Sequence, residues 1–386
     1  MAGHPAPSSA PQAFIDLCAL ASNYRLACRL AAPSSRILAM VKADAYGHGI
    51  DAVVRCLAAS GCEMFGVATC AEAQAVTGLG PSRVVVFGGV LAGDADALLA
   101  SGAEVVACDP ETLRILAARA DAAGRQLRVH LGVDTGMRRL GAEPHEMAAL
   151  AELAVSLPCV SVVGLCSHFA EAEAVDSQLL EAQLTSLEHV ARSVEPIVGH
   201  LELHAANSAG LLGSARARLD LARPGLMLYG LSPRPGIAHE DELQPVMRLS
   251  AVVIRVASLA PGEGVGYGHA FHTARPTTLA TLRIGYGDGY PRALSGCGSV
   301  FLGGGLAPVV GRVCMDHIMV DATDVSSITI GDEAVLWGPE LRAETVAEKA
   351  GTISYELVSR VSPRVTRTYV DADLGTSSSA IGGKIS

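Results

Sequence analysis

The chain has 386 residues, half of them hydrophobic and 18% charged, so it is long enough for two globular domains and too apolar for a disordered protein. Its net charge of −10, with 29 scattered Lys and Arg, argues against a nucleic-acid partner. We expect no secretory signal, and no apolar run reaches the roughly 18 residues of a membrane span. The ten cysteines lie mostly in apolar runs, such as those around Cys18, Cys28, Cys56, Cys108 and Cys159. They predict reduced core thiols in a cytoplasmic protein, with no metal site.

Eight short runs rich in Val, Ile and Leu follow one another from residue 12 to about residue 235, separated mostly by Ala/Leu-rich stretches with helical spacing, such as HEMAALAELAVSL. This alternation predicts an α/β fold with a TIM-like (β/α)8 barrel over residues 12–240. A doubly wound open sheet is the alternative that the same pattern allows. The runs are RILAMVK, MFGVA, RVVVF, EVVACD, LRVHLGVD, VVGLCSH, LELHAAN and LDLARPGLMLYG.

The character of the sequence changes after LSPRPGIAHEDELQP. Gly, Val and Thr become more frequent, and turn sequences such as PGEG, YGDGYP and IGDEAVLWG separate short alternating runs. We therefore predict a second, mostly β domain over residues 241–375. Residues 1–11 and 376–386 are expected to be flexible tails.

Lys42 ends the first apolar run, in MVKADAYGHG. A lysine in such a place can reach water along its own alkyl stem, which is the ordinary explanation. A desolvated lysine, in contrast, has a lowered pKa and can form a Schiff base with a carbonyl compound such as pyridoxal phosphate. The second interpretation requires support from elsewhere in the chain.

Other polar residues also lie where barrel strands are predicted to end, and reactive groups of such barrels cluster at that face. Together they predict a mouth that a small anionic ligand can occupy. Ser208 in NSAG offers a hydroxyl, and Gly225 in RPG allows close approach of the backbone to a phosphate. Each of these two sequences is also compatible with an ordinary turn. The strand-end residues are Lys42, Asp134, Arg139, His168, Asn207, Ser208 and Arg223.

An ordered set of motifs extends this pattern over residues 12–370. The motifs are MVKADAYGHG, VDTGMRRLG, SHFAEAE, NSAG, ARPGLMLYG, GYG, IGYGDGYPR, GRVCMDHIMVD and ISYELVSRVSPRVTRTY. In this order the chain closely resembles the alanine racemases, pyridoxal-phosphate enzymes built from a barrel and a β domain. The specificity lies in the set rather than in any single motif.

The resemblance implies pyridoxal 5′-phosphate as the cofactor, held by Lys42 as a Schiff base, with Arg223 facing its pyridine nitrogen. An arginine stays protonated and discourages protonation of the ring, which makes the ring a weaker electron sink than one paired with a carboxylate. Tyr46, Ser208, Gly225, Leu226 and Tyr355 are implied to hold the phosphate. Arg139, His168 and Asn207 complete the implied cofactor site.

Racemisation removes a proton from one face of Cα and returns one on the other, and two bases on opposite faces are the simplest solution. By resemblance Lys42 is one base and Tyr267, contributed by a partner subunit, is the other. His168 is implied to lie beside that tyrosine and to link it to Arg223. Taken alone, a tyrosine in a glycine-flanked turn is also a common surface aromatic.

The segment GRVCMDHIMVD supplies Met315 and Asp316, which by resemblance come from the partner subunit and lie near the substrate carboxylate, where Arg139 also binds. Tyr286 resembles a residue at the entrance of the active site in this family. Because a site shared in this way is incomplete in a monomer, the resemblance implies a homodimer. A strand that buries Cys314 and Met315 for packing is the plain alternative for this segment.

Gly132 departs from the family pattern. Many members have a lysine at this position, reported as carbamylated, which helps to hold the arginine that corresponds to Arg139. Glycine removes that side chain, so we expect a gap that an anion or water can occupy. Our hypothesis is that a chloride or another acidic group holds Arg139 instead.

The sequence thus predicts an enzyme that interconverts L-alanine and D-alanine and supplies D-alanine for peptidoglycan. A racemase for serine or for a broader set of amino acids shares the same bases and stays open. A non-catalytic pyridoxal-phosphate carrier resembles the barrel alone, so the second domain argues against it. A decarboxylase of related architecture is disfavoured because Arg223 stands where a carboxylate is expected.

Overall fold

The computed structural model describes residues 10–80, 82–174 and 177–370, which form two compact units. Residues 20–244 make up the barrel unit, and the described residues before 20 and after 244 make up the β unit. Strand β1 (Gln12–Asp16) lies in the β unit, whereas the prediction began the barrel domain at residue 12. Helix α1 (Leu17–Ala31) leads from β1 into the barrel unit. Apart from residues 10 and 11, the predicted tails lie outside the described residues.

The strands of the barrel unit close into a parallel barrel in chain order, and the last strand pairs with the first. Each strand coincides with one of the eight predicted runs, so the barrel is confirmed and the open sheet was wrong. Barrel strands are covered on both faces, which explains why they read as continuous apolar runs. The strands are β2 (Arg36–Met40), β3 (Met64–Val67), β4 (Arg83–Val86), β5 (Glu104–Ala107), β6 (Leu127–Gly132), β7 (Val160–Cys166), β8 (Glu202–His204) and β9 (Leu221–Ala222).

Helices follow these strands, and polar caps begin several of them. Thr69, Asp109 and Ser177 each accept a hydrogen bond from the backbone N–H three residues later, which satisfies a donor that the helix leaves unpaired. The stretch HEMAALAELAVSL contains α7, as its spacing predicted. The helices are α2 (Lys42–Gly47), α3 (Ile50–Ala59), α4 (Cys70–Thr77), α5 (Ala95–Ser101), α6 (Pro110–Ala122), α7 (Met147–Ser156), α8 (Gln178–Val198) and α9 (Ser208–Gly213).

The β unit is mostly β, as predicted, and its sheet runs in the order β13-β16-β15-β14-β17-β10-β1-β18. Trp337 is fully buried, and Val265, Leu279, Val310 and Met319 form a small core of their own. The elements are β10 (Met247–Leu259), β11 (Gly264–Val265), β12 (Phe271–His272), β13 (Thr277–Leu282), β14 (Ser299–Leu302), β15 (Gly305–Val310), β16 (Ile318–Asp321), β17 (Glu333–Trp337), α10 (Ala343–Lys349), α11 (Ser354–Ser359) and β18 (Thr366–Val370).

All ten cysteines are thiols in the structure. Of the five that the sequence placed in apolar runs, Cys159 is buried and the other four are half-buried. The core prediction was therefore right for Cys159 and too strong for the rest. Within the described ranges, no helix has the length and apolar character needed to cross a bilayer.

Candidate active site

Lys42 follows β2 after Val41, at the carboxyl end of a barrel strand as predicted, and it opens an unusual turn. The next four residues, Ala43 to Tyr46, all have φ between 52° and 54°, so α2 contains a left-handed turn. Left-handed backbone costs about 1–2 kcal/mol for each residue with a Cβ, so the surrounding contacts must hold this turn in place. Val41 O accepts from Ala45 N at 2.9 Å, and Asp44 Oδ1 accepts from Ile50 N at 2.8 Å.

Glu72 supports this turn from α4, and the sequence analysis missed it. Its Oε1 accepts a hydrogen bond from Ala43 N at 2.7 Å, immediately after Lys42. Its Oε2 accepts from Ala68 N and Thr69 N at 2.8 and 3.1 Å, as part of a capping box. The spacing Thr-x-x-Glu is a signal for the capping box, although it does not indicate the bond to Ala43.

The Lys42 amine lies in a partly buried, positively charged environment. Burial lowers the pKa of Lys42 from its ordinary value, and the charges of Arg139 and Arg223 lower the pKa further, against an opposing effect of Glu72. A lowered pKa increases the fraction of neutral amine, which is the form that attacks a carbonyl carbon or accepts a proton. Lys42 is thus suited both to bond to a carbonyl carbon and to accept a proton.

Tyr46 is held rigidly at the far end of the turn. Its ring stacks on that of Tyr229 at a centroid distance of 4.9 Å, and Tyr229 also stacks on His48 at 4.5 Å. The Tyr229 hydroxyl donates to Met40 O at 3.0 Å, which ties this stack to β2. Tyr229 was not among the predicted residues; its place in GLMLYG is the only sequence signal.

Ser208 organises a group of backbone N–H donors. Its Oγ accepts from Gly225 N at 3.0 Å and from Met227 N at 3.1 Å. A Cβ added to Gly225 would lie 2.3 Å from Tyr46 Oη, so the Tyr46 hydroxyl lies against this loop. The side chain of Asn207, a predicted cofactor residue, caps α9 by accepting from Gly210 N at 2.9 Å.

Three N–H groups around Ser208 have no acceptor in the described part of the chain: those of Ser208, Ala209 and Leu226. These residues are at most 2% exposed. Buried N–H groups are nearly always paired, because leaving one without a partner is expensive. Together with the hydroxyls of Ser208 and Tyr46, they indicate a binding place for an anion.

Arg223 follows β9 directly and is 5% exposed. Its guanidinium donates to His204 Nδ1 at 2.8 Å, to Ser167 O at 2.7 Å and to Ala205 O at 3.2 Å, and it lies 5.3 Å from the centre of the Phe87 ring. These bonds hold the guanidinium in one orientation. It can donate to a ligand and cannot accept a proton from one.

His168 lies 3.3 Å from Arg223, measured from His168 Nδ1 to Arg223 Nη2. Burial lowers the pKa of His168 to about 3, with further contributions from the charges of Arg223, Arg139 and Lys42. His168 is therefore neutral at pH 7, and because the arginine only donates, Nδ1 accepts and Nε2 carries the proton.

Arg139 is exposed and makes no hydrogen bond or ion pair within the described residues. Its neighbour Arg138, by contrast, pairs with Glu143. The gap expected beside Gly132 is filled: a Cβ added there would lie 2.9 Å from Val106 Cγ1 and 3.6 Å from Cys108 Cβ. Val106 thus takes the volume that the glycine leaves. No acidic side chain supports Arg139 in the described chain, and a chloride beside it stays a prediction.

In the β unit, two loops bring Tyr286, Met315 and Asp316 together. Tyr286 N donates to Cys314 O at 3.0 Å and Gly287 N donates to Met315 O at 2.9 Å. Gly285 is required here, because an added Cβ would lie 2.3 Å from the carbonyl oxygens of both Cys314 and Met315. Tyr286 and Met315 are 42% and 53% exposed, so only Cys314 packs inward and the packing alternative does not apply to Met315.

Asp316 is fixed by Arg364, whose Nη2 donates to Asp316 Oδ1 at 2.5 Å and whose Nε donates to Asp288 Oδ1 at 2.6 Å. Asp288 is 2% exposed and its Oδ2 accepts from Gly285 N at 2.9 Å. These bonds tie the two loops together at a pocket that Arg364, Asp288 and Asp316 help to line. Arg364 and Asp288 were not predicted.

Tyr267 lies at the tip of the β11–β12 hairpin and is 71% exposed. Gly266 and Gly268, which flank it, have φ of 72° and 66°. A Cβ added to Gly266 would lie 2.8 Å from Met319 Cε, so the hairpin rests on the core of the β unit. Tyr355, the remaining predicted phosphate residue, lies half-buried in α11 of the β unit.

Pyridoxal phosphate, which the resemblance implies, requires an amine, an anion-binding group and a partner for its ring nitrogen. The barrel unit provides Lys42, the unpaired N–H groups around Ser208, and Arg223. The residues present therefore fit this cofactor. Among the residues that the structure describes, no cluster of His, Cys, Asp and Glu can hold a metal ion.

Two family profiles match the chain: alanine racemase, N-terminal domain, over residues 15–233, and alanine racemase, C-terminal domain, over residues 246–369. The alanine racemase of Chlorobaculum tepidum is 39% identical over 367 residues, which are 93% of this chain and 95% of that protein. The crystal structure of alanine racemase from D-cycloserine-producing Streptomyces lavendulae has a TM-score of 0.91 and 34% identity, covering 95% of this chain and 98% of that one. Alanine racemase from Bartonella henselae with covalently bound pyridoxal phosphate has a TM-score of 0.87 and 31% identity, over 94% of this chain and 100% of that one. The similarity extends over both units.

Proposed function

The chain belongs to the alanine racemase family, and we propose that its own Lys42 and the partner subunit's Tyr267 are the two bases of its reaction. The activity is the interconversion of L-alanine and D-alanine, and the cofactor is pyridoxal 5′-phosphate. One observation carries the assignment of Lys42: its partly buried amine, whose pKa is lowered by burial and by the charges of Arg139 and Arg223, belongs to the unit that holds the unpaired N–H donors.

The cofactor is held at three points in this proposal. The unpaired N–H groups, the Ser208 and Tyr46 hydroxyls and the Gly225–Leu226 backbone would hold the phosphate, and the family resemblance adds Tyr355. Lys42 would hold the cofactor through its amine, and Arg223 would donate to the ring nitrogen. When bound, pyridoxal phosphate supplies a carbonyl carbon for amines and a ring that draws electrons from the Cα–H bond. Arg223 keeps its own proton and would not give one to the ring nitrogen, so the ring would withdraw electrons less strongly than one paired with a carboxylate.

The residues of the chain then move the protons. Lys42 Nζ takes the proton from one face of Cα, and Tyr267 of the partner subunit returns one on the opposite face; in the other direction the two exchange roles. His168, with its proton on Nε2, is suited to donate to a phenolate oxygen. One proton leaves and one arrives, so the product differs from the substrate only in configuration.

Arg139 binds the substrate carboxylate in this proposal. Its guanidinium is exposed and has no hydrogen-bond partner among the described residues, so it is available for a bidentate contact. Met315 and Asp316 of the partner subunit border the same carboxylate, and Tyr286 lies at the entrance. The bond from Arg364 holds Asp316 ready for this task.

We infer that the enzyme is a homodimer that works in the cytoplasm and supplies D-alanine for peptidoglycan. The exposure of Tyr267 and Met315 supports the dimer, because large apolar side chains at loop tips commonly mark an interface. The ten thiols support a reducing compartment. The D-alanine product supports the assignment to wall synthesis.

The activity is tested by incubating the purified protein and pyridoxal phosphate with L-alanine, L-serine, L-lysine or L-arginine and measuring the D-enantiomers by chiral chromatography. We expect D-alanine to dominate, and no D-alanine with the Lys42→Ala control. A serine-led or broad profile would replace the alanine assignment by the wider racemase.

The shared site is tested by complementation between two defective variants. Lys42→Ala and Tyr267→Phe chains are unfolded together and refolded as a mixture, so that mixed dimers contain one site with both bases. We expect the mixture to recover activity that neither variant has alone. A mixture no more active than its components would exclude a site built from two subunits.

A further inference from the structure

Among the described residues, Arg223 is a buried cation without a carboxylate partner. In the described part of the chain it donates to two backbone carbonyls and to two histidines. Burying a charge without a counter-charge is expensive. Hydrogen bonds that begin at the fully buried His204 connect Arg223 to a carboxylate, Glu104.

A hydrogen-bonded chain runs from His204 through the barrel interior. His204 Nε2 lies 2.9 Å from His130 Nδ1, and His130 Nε2 lies 2.8 Å from Glu104 Oε2. Both histidines are fully buried and Glu104 is 3% exposed. Gly164, opposite His130 on the neighbouring strand, makes the room: an added Cβ would lie 2.2 Å from His130 Nδ1.

Glu104 begins β5, so the hydrogen-bonded chain that starts at Arg223 ends at the amino-terminal end of the barrel. There Glu104 also accepts from Arg83 and Arg128, and Arg83 donates to Glu202 as well. Burial alone would raise the pKa of Glu104, but hydrogen bonds from His130 and Arg83 outweigh it and lower the pKa to about 2. The carboxylate is therefore charged throughout the neutral range.

The two ends allow only one arrangement of protons. A guanidinium only donates and a carboxylate only accepts. His204 must therefore accept at Nδ1 from Arg223, carry its proton on Nε2, and donate to His130. His130 must accept at Nδ1, carry its own proton on Nε2, and donate to Glu104. A proton on either Nδ1 would put two donors face to face.

We propose that Glu104, acting through His130 and His204, is a positioning residue for racemisation, because it fixes the direction of the hydrogen-bond chain that orients Arg223. This inference rests on the proposed function, which assigns Arg223 to the ring nitrogen. Glutamine at position 104 can accept or donate, so both directions of the chain become accessible, and the reversed direction breaks the bond between His204 and Arg223. A polarised chain of this kind is stronger than its separate links.

The kinetic test compares Glu104→Gln with Glu202→Gln. Glu202 is the matched control because it shares Arg83 but makes no bond to His130. We expect Glu104→Gln to lower kcat about tenfold in both directions with KM for alanine changed less than twofold, since Arg223 orients the cofactor rather than the substrate. Glu202→Gln should change both constants less than twofold. Equal losses in the two variants, or no loss in Glu104→Gln, would overturn the proposal.

The proton arrangement is measured independently on the unmodified holoenzyme by neutron diffraction from deuterated crystals. We expect deuterium on Nε2 and none on Nδ1 of both His130 and His204. Deuterium on either Nδ1 would overturn the proposal even if Glu104→Gln fails to fold. This measurement needs no turnover, so it tests the hydrogen-bonded chain separately from the racemase assignment. Failure of the racemase assignment would appear instead as absence of D-alanine in the unmodified enzyme.

Discussion

Replacing Gly225 by alanine tests the phosphate-binding place most directly, because it keeps every backbone N–H and adds one methyl group. The new Cβ would lie 2.3 Å from Tyr46 Oη, 2.8 Å from Tyr46 Cζ and 3.4 Å from Met40 Cβ. The Tyr46 ring cannot swing aside freely, because it stacks on Tyr229, which is bonded to Met40 O. We therefore expect the hydroxyl to be pushed off its position.

The size of the effect follows from these contacts. Overpacking of this kind typically destabilises a protein by about 1–3 kcal/mol. Loss of one hydrogen bond to a charged group costs about 1.5–3 kcal/mol, which corresponds to an increase of about 10- to 150-fold in the Kd of pyridoxal phosphate. Equilibrium dialysis gives the Kd, and unfolding in guanidinium chloride gives the stability.

Gly93→Ala is the matched control, because a Cβ there meets nothing within 4 Å. We expect it to retain the Kd and stability of the unmodified protein. A Gly225→Ala protein that binds the cofactor as tightly as Gly93→Ala does would refute the placement of the Tyr46 hydroxyl at the phosphate. A loss of stability without a loss of affinity would refute it equally.

Further predictions concern the bases, the space beside strand β6 and the response to acid. Lys42→Ala should abolish the visible absorbance of the lysine-bound cofactor, and an unchanged spectrum would contradict its role. Tyr267→Phe should keep the cofactor bound and remove racemisation in both directions, because each direction needs a base on both faces of Cα, while Lys42 still exchanges the Cα hydrogen of one enantiomer with solvent deuterium; equal exchange in the two enantiomers, or only mild losses of racemisation measured by chiral chromatography, would argue against two bases. Gly132→Ala should lower the free energy of unfolding by about 1–3 kcal/mol, because its Cβ would lie 2.9 Å from Val106, and a stability in guanidinium chloride equal to that of Gly93→Ala would contradict this. Acid should remove the stabilisation from Glu104: its folded pKa of about 2 lies below the ordinary 4.5, so about 3 kcal/mol is present above pH 4.5 and is lost as the pH falls towards 2. Urea unfolding at successive pH values should show a shallower slope for Glu104→Gln in this window, and parallel slopes would refute the assignment.

The barrel could be predicted because its strands are short, apolar and separated by helical spacing, and because strand ends mark the reactive face. This rule alone placed Lys42, His168 and Arg223 just after barrel strands, where the structure has them, and their roles stay predictions. His130 and His204 also stood in the sequence as histidines inside apolar runs, RVHLG and ELHAA. Their partnership, however, depends on strands that are distant in the chain, so no local pattern indicated it.

Other features depend on contacts that a sequence pattern does not contain. Ala43 and Asp44 have little local reason to adopt left-handed backbone, and contacts such as those of Glu72 hold them there. The gap inferred at Gly132 was wrong because Val106, on the neighbouring strand, fills it. The place of β1 in the β unit was missed because residue 12 is followed directly by the barrel.

The position of β1 has a consequence for biosynthesis. In the sheet it lies between β10 and β18, yet residues 20–244 separate it from both in the order of synthesis. The ribosome thus releases β1 first and β10 and β18 much later. Strand β1 therefore stays unpaired until the barrel segment and the rest of the β unit have been synthesised. A gene fragment that begins at residue 246, where the C-terminal family profile starts, would encode β10 with one bare edge beside its pairing with β17, and β18 without its neighbouring strand β1.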